Sequence, residues 1–270
     1  MTTTPSATPE PTSTGYLDLD DLHLFHAVWE PTGEPGERPS GGPVVLLHGG
    51  MLSIDLAWAE LIPALRRRHR VIAPELQGHG RTNDTGRSVT PAASAGDVVA
   101  LLDHLGIDRA HVVGHSMGAA VALELAVSHG DRLLSVVPIS GSVRPDGMHA
   151  DLSDSAAFAT STRMPTADDF AGMQQTYRRL SPHPDHFDDF LATLSASNAD
   201  LVGWSDEQLA GISAPVLVVQ GDHDFVTVAH GELMTQLIPG AQLAVLPGTT
   251  HMQATHRTDL LVPLLERFLD

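Results

Sequence analysis

The chain has 270 residues, a formal net charge of −18, 42% hydrophobic residues and 16 histidines, with neither cysteine nor lysine. Disulfide and thiol chemistry are thereby excluded, as are Schiff-base and lysine-dependent phosphate chemistry. So negative a field repels nucleic-acid backbones and anionic membranes, and no run approaches the ~20 apolar residues of a membrane helix.

Taken in order, the chain suits one large domain with an inserted subdomain. Residues 1–15 are mostly Thr, Ser and Pro, lack the basic start and apolar core of a secretion signal, and are expected to be a disordered tail. The default location is then cytoplasmic. Tyr16–Leu19 and Leu22–Val28 are expected to form a hairpin, and residues 30–42 a loop rich in Pro and Gly. Pro43–Leu47 is wholly apolar, as expected of a strand buried on both faces. A helix is expected over Trp58–Arg67, where the basic run Arg66–Arg70 suits the negative end of its dipole. Strand Val71–Ala73 follows, then a helix opened by Thr90-Pro91 and running to Leu105. Strand Ala110–Val113 runs into Gly114-His115-Ser116-Met117-Gly118, helix Met117–His129 and strand Leu133–Ile139.

Between Gly141 and about Leu209 no strand-like run occurs. Phe170, Met173, Tyr177 and Leu180 recur at helical spacing instead, as do Phe187, Phe190, Leu191 and Leu194. Lying between two strands, residues 141–209 read as an inserted helical cap on a core made of 16–140 and 210–270. Strands Pro215–Gln220 and Ala241–Leu246 and helices Val228–Leu237 and Asp259–Phe268 complete an alternation that means a mostly parallel, doubly covered α/β sheet.

The Gly114–Gly118 pentapeptide puts a serine on a tight strand-to-helix turn, where only small residues fit two positions either side. A serine is a poor nucleophile at neutral pH unless a base and an orienting group assist it. In open α/β sheets such partners gather at the carboxyl ends of strands. There stand Gly221-Asp222-His223-Asp224 and Pro247-Gly248-Thr249-Thr250-His251, each straight after a strand. Asp222 and Asp224 both qualify as the acid, and Asp146, after strand Leu133–Ile139, is a third candidate. His115 reads as a packing neighbour, because adjacent residues on a sharp turn point apart. His79 reads as structural. His183 and His186, beside Asp185 and Asp189, read as a solvated helix start, with no metal expected. The Met117 N–H, at a helix N-terminus beside the serine, is an expected oxyanion donor.

An acid and then a histidine downstream of the serine is the order found in the α/β-hydrolase superfamily, which the chain resembles from about Leu22 to Leu269. His48-Gly49-Gly50 is similar to that superfamily's oxyanion loop, Gly78-His79-Gly80 to its Gly-x-Gly turn, Gly114–Gly118 to its elbow, Gly221-x-x-Asp224 to its acid loop and Pro247–His251 to its histidine loop. Glu75 stands where many members carry aspartate. The resemblance implies a mostly parallel eight-stranded sheet with helices on both faces and an inserted helical cap. It also implies Ser116 as nucleophile, His251 as base, Asp224 as acid and Gly50 as the second oxyanion donor, without a cofactor. A serine at the elbow argues against dehalogenase and epoxide hydrolase chemistry, which use a carboxylate there. Met51, Met148, Phe158, Met164, Phe170, Met173, Tyr177 and Met252 are expected to line an apolar substrate site. The expectation is a monomeric or homodimeric serine hydrolase of a small, neutral carboxylic ester or lactone. The alternatives are perhydrolase (haloperoxidase-like) or carbon–carbon bond hydrolase chemistry, or a ligand-binding member of low turnover.

Overall fold

The computed structural model describes residues 7–33, 41–152, 161–199 and 203–270. Its strands are β1 (Ser13–Leu19), β2 (Leu22–Trp29), β3 (Val44–Leu47), β4 (Val71–Pro74), β5 (Ala110–His115), β6 (Leu133–Ile139), β7 (Leu217–His223) and β8 (Gln242–Thr250). They form one eight-stranded sheet in the order β1-β2-β4-β3-β5-β6-β7-β8. β2 pairs antiparallel with β1 and β4, and the remaining pairs are parallel.

Side chains alternate across this sheet with period two, and both faces are covered. Val45, Leu47, Val112, Val136, Val216 and Val218 join one buried cluster, which takes in α3 (Pro91–His104) and α4 (Met117–Ser128). Val44, Leu46, Val113, Val137, Leu217 and Val219 face the other, against α1 (Ile54–Trp58), α2 (Ile62–Leu65) and the C-terminal helix Thr258–Phe268. The central strands β3 and β4 are thus wholly apolar because neither face meets water, whereas the edge strand β8 keeps exposed positions.

The expected helix Trp58–Arg67 is instead two short helices, α1 and α2, joined by a turn. Pro63 has no N–H to give to the Ala59 carbonyl, and the bonds Leu61 N–H to Trp58 O and Ala64 N–H to Leu61 O close three-residue turns there. The basic run beyond α2 is used in surface ion pairs, Arg67 to Glu266, Arg68 to Asp270 and Arg70 to Glu30. The expected tail also ends early. Ser13, Thr14 and Gly15 already pair with Val28, Ala27 and His26, and the Pro9 carbonyl accepts the Trp29 indole N–H at 2.9 Å.

β7 and β8 run further than expected, into both loops that carry candidate residues. After a register shift between Gly221 and His223 the pairing resumes at His223–Thr250. A Cβ on Gly221 would overlap the Thr249 carbonyl, so glycine lets these strand ends close together.

Between β6 and β7 the described residues form helices Ala167–Leu180 and Phe187–Ala199, then a short helix Asp206–Ala210. Thr166 and Asp169 cap the first reciprocally. Tyr177, Phe187, Phe190 and Leu194 make a third apolar cluster, packed on Met51, Val89, Met117 and Leu191. The insertion therefore lies over the carboxyl ends of the strands.

Candidate active site

The β5–α4 junction forces Ser116 into φ 53°, ψ −114°, a conformation rare for a residue with a side chain. Its N–H donates to the Ile139 carbonyl at 2.9 Å, which pins the turn to β6. A Cβ at Gly114 would overlap the Gly118 carbonyl, and one at Gly118 would overlap the Leu47 carbonyl. The two glycines are thus required by backbone contact.

Three strand ends meet here. The Ser116 hydroxyl lies 2.9 Å from His251 Nε2, and His251 Nδ1 lies 2.7 Å from Asp224 Oδ1. An ionised carboxylate only accepts, so Nδ1 carries the proton and Nε2 is left to accept from the hydroxyl. Ser116 is half-buried, His251 buried and Asp224 wholly buried. Burial alone would raise the Asp224 carboxyl. The bond and charge of His251, with bonds from Ser140 and Gly221, outweigh it and hold the carboxyl well below the usual range.

Three supports of this chain carry no motif in the sequence. The Ser140 hydroxyl donates to Asp224 Oδ2, alongside the Gly221 N–H at 3.2 Å. Ser140 sits just past β6 with φ 55°. Phe225 stacks flat on the His251 imidazole, centroids 3.8 Å apart at 7°. Arg163, from the insertion, donates to the Asp224 carbonyl at 3.1 Å. The local signal open to sequence reading was small: a serine at a strand's carboxyl end and an aromatic straight after the acid.

Of the competing residues, Asp222 is exposed and accepts the Thr249 N–H at 3.0 Å, tying the two strand ends together. Asp146 lies in the short turn Pro145–Gly147, where its charge acts on His230. His115 is buried, and its Nε2–H donates to the His251 carbonyl at 3.0 Å. Burial, then the neighbouring His251, pushes its ring down to about 3, so it stays neutral. His183 and His186 stack on each other at 5.3 Å.

The Gly50 and Met117 amides, the expected oxyanion donors, have no backbone acceptor in the turns, loops and caps of the described residues. A tetrahedral oxyanion beside Ser116 is the kind of charge such donors serve. Of the residues expected to line the substrate site, Met51 packs on the insertion's aromatic cluster, to which Tyr177 belongs. Met173 is buried, and Met252 packs on the helix-covered core beneath. Met164 is half-buried. Met148 and Phe170 are exposed by 45% and 42%; Met148 bridges to Val226, just past Asp224, and Phe170 meets Phe187 edge-on. Phe158 lies outside the described residues. A cleft of about 250 Å³ opens between the loop at 78–86 and the insertion, bordered by Asp84, Tyr177, His186 and Phe190. A smaller void of about 10 Å³ continues from Tyr177 and Phe190 to Met51 and His79. Among the described residues no group of three metal-ligating side chains occurs, and no helix is long and apolar enough to cross a membrane.

Residues 44–263 match the model of the Alpha/beta hydrolase family. The chain is 30% identical, over 94% of its length and 68% of the other chain, to the dihydrolipoyllysine-residue acetyltransferase component of the acetoin cleaving system of Cupriavidus necator. It is 26% identical to a non-heme haloperoxidase of Rhodococcus erythropolis, over 93% of this chain and 97% of that one. Among solved structures it is similar to Est816, described as an N-acyl homoserine lactone degrading enzyme, with TM-score 0.73 and 26% identity over 94% of this chain and 99% of that chain.

Proposed function

The chain belongs to the alpha/beta hydrolase family, and from that premise we propose that it is a serine hydrolase that opens a small, largely apolar carboxylic ester or lactone through an acyl-enzyme. The observation that carries this reading is the unbroken hydrogen-bonded line from Ser116 through His251 to Asp224. In it the Ser116 oxygen attacks the carbonyl carbon while His251 Nε2 takes the hydroxyl proton. The Gly50 and Met117 amides stabilise the oxyanion, the tetrahedral intermediate collapses, and the imidazolium returns its proton to the departing alkoxide. Water then repeats the sequence on the acyl-enzyme, releasing the acid and restoring Ser116. Asp224 holds the imidazole in the productive tautomer and stabilises its cation.

Residues 141–209 serve in this reading as a cap. Its aromatic cluster against Met51 and Met117 supplies an apolar wall beside the nucleophile, and the net charge of −18 disfavours strongly anionic substrates. Similarity to a haloperoxidase over nearly its whole length gives a second reading, perhydrolysis, in which peroxide replaces water in the same second half-reaction.

A panel of aryl esters of graded acyl length and lactones of graded ring size tests the proposal. Turnover is expected for medium, neutral members, with Ser116→Ala lowering kcat by about a million-fold. Stoichiometric binding without turnover of any member contradicts it. A product that forms only with added peroxide favours the second reading.

A further inference from the structure

The Gly-x-Gly turn carries a fully buried histidine that the reaction above does not use. His79 Nδ1–H donates to the Gln77 carbonyl at 2.8 Å, so Nε2 keeps its lone pair and accepts the Met51 N–H at 3.1 Å. Met51 directly follows Gly50 and has φ 63°. A residue with a side chain holds such a conformation only where its surroundings enforce it. The Leu52 N–H closes the same turn on the Gly49 carbonyl at 3.2 Å. The His48 ring lies 4.8 Å from His79 and is fixed the same way, its Nδ1–H on the Gly49 carbonyl and its Nε2 accepting the Leu76 N–H. On its far side His79 meets Phe190 edge-on at 4.8 Å, and Phe190 belongs to the insertion helix Phe187–Ala199.

We propose that His79 is a positioning residue: its Nε2 clamps the Met51 amide, which holds the left-handed turn that aims the adjoining Gly50 amide at the oxyanion. Its edge against Phe190 ties that turn to the insertion above. This rests on the serine-hydrolase reading for the role of Gly50, though the clamp itself stands on geometry alone. Burial holds the His79 ring down to about 4, so at neutral pH the lone pair that accepts the Met51 N–H is present. No other polar side chain bonds the amides of Gly50 or Met51, so the turn has no second clamp of this kind among the described residues.

Two substitutions separate the clamp from simple packing. His79→Asn keeps a donor at the position of Nδ1 but has nothing at Nε2, whereas His79→Gln places an oxygen acceptor near Nε2. Hydrogen–deuterium exchange of the peptide 48–53 is read on wild type and both variants, together with kcat and KM for the best ester of the panel. The expected result is faster exchange at Met51 in His79→Asn, with kcat about ten- to a hundredfold lower and KM little changed, as for a misplaced oxyanion donor. His79→Gln is expected to recover most of both. Equal exchange in wild type and His79→Asn, or a His79→Gln no better than His79→Asn, overturns the clamp. If wild type turns over no member of the panel, ester or lactone, the serine-hydrolase reading falls, while the exchange contrast still decides the clamp.

Discussion

At the scale of single residues, the three partners of the hydrogen-bonded line were legible in the sequence because each sits at a fixed offset from a strand end. The order serine, acid, histidine needed only the strand positions and two short motifs, and the superfamily's Gly-x-x-Asp spacing singled out Asp224. The choice between Asp222 and Asp224 was not legible from chemistry, since both are carboxylates on one loop. It is burial and direction that separate them: Asp224 points inward to His251, and Asp222 outward to Thr249. Ser140 was invisible for a different reason. A lone serine past a strand has no signature, and its value comes from the Asp224 oxygen it meets across the sheet. A hydrogen bond to a charged group is worth about 1.5–3 kcal/mol, so Ser140→Ala is expected to lower kcat by about tenfold or more at an unchanged KM. Steady-state kinetics at neutral pH check this, and an unaltered kcat would remove Ser140 from the positioning of Asp224.

At the scale of elements, runs buried on both faces were the easiest to read. Val44–Leu47 and Val71–Pro74 are apolar throughout, and Leu133–Ile139 apolar but for Ser135, because helices cover each side of the sheet. Boundaries failed where one backbone group decided them. Pro63 withholds a single N–H and splits α1 from α2, although the apolar pattern runs on through Leu65. β1 begins at Ser13 because its partner strand offers bonds to polar residues whose composition gave no strand signal. The elbow is the element most constrained by space. Gly118→Ala pushes a Cβ into the Leu47 carbonyl, which backbone cannot yield cheaply. It is expected to destabilise by about 1–3 kcal/mol or more, on the scale of an overpacked core, and to displace Ser116. A denaturant midpoint that matches wild type would show the turn to be more forgiving than its contacts indicate.

At the scale of the whole molecule, several histidines are folded into places that exclude their charged form. Burial pushes His48 and His115 down to about 3 and His79 and His111 to about 4. In the unfolded chain these rings bind protons near pH ~6.5, so between about pH 6.5 and 4 the unfolded state holds more protons than the folded one. Stability therefore falls as pH drops through that window, before Asp224, held below its unfolded value, is protonated. Melting temperatures are expected to be level from pH 8 to 7 and to decline steadily from about pH 6.5 to 4.5. The buried carboxyls of Glu75 and Asp97, raised by desolvation, offset part of this decline, and a level profile down to pH 4.5 would contradict the net fall. The central claim is that distant strand ends converge to make one hydroxyl a nucleophile. Its most direct measurement is intact-mass and peptide analysis after exposure to a serine-directed fluorophosphonate. The expected result is one adduct per chain on Ser116, absent in Ser116→Ala and at least a hundredfold slower to form in His251→Ala, the base contributing about 10²–10⁴ in rate. Labelling elsewhere at the wild-type rate, or undiminished labelling of Ser116 in His251→Ala, would contradict it.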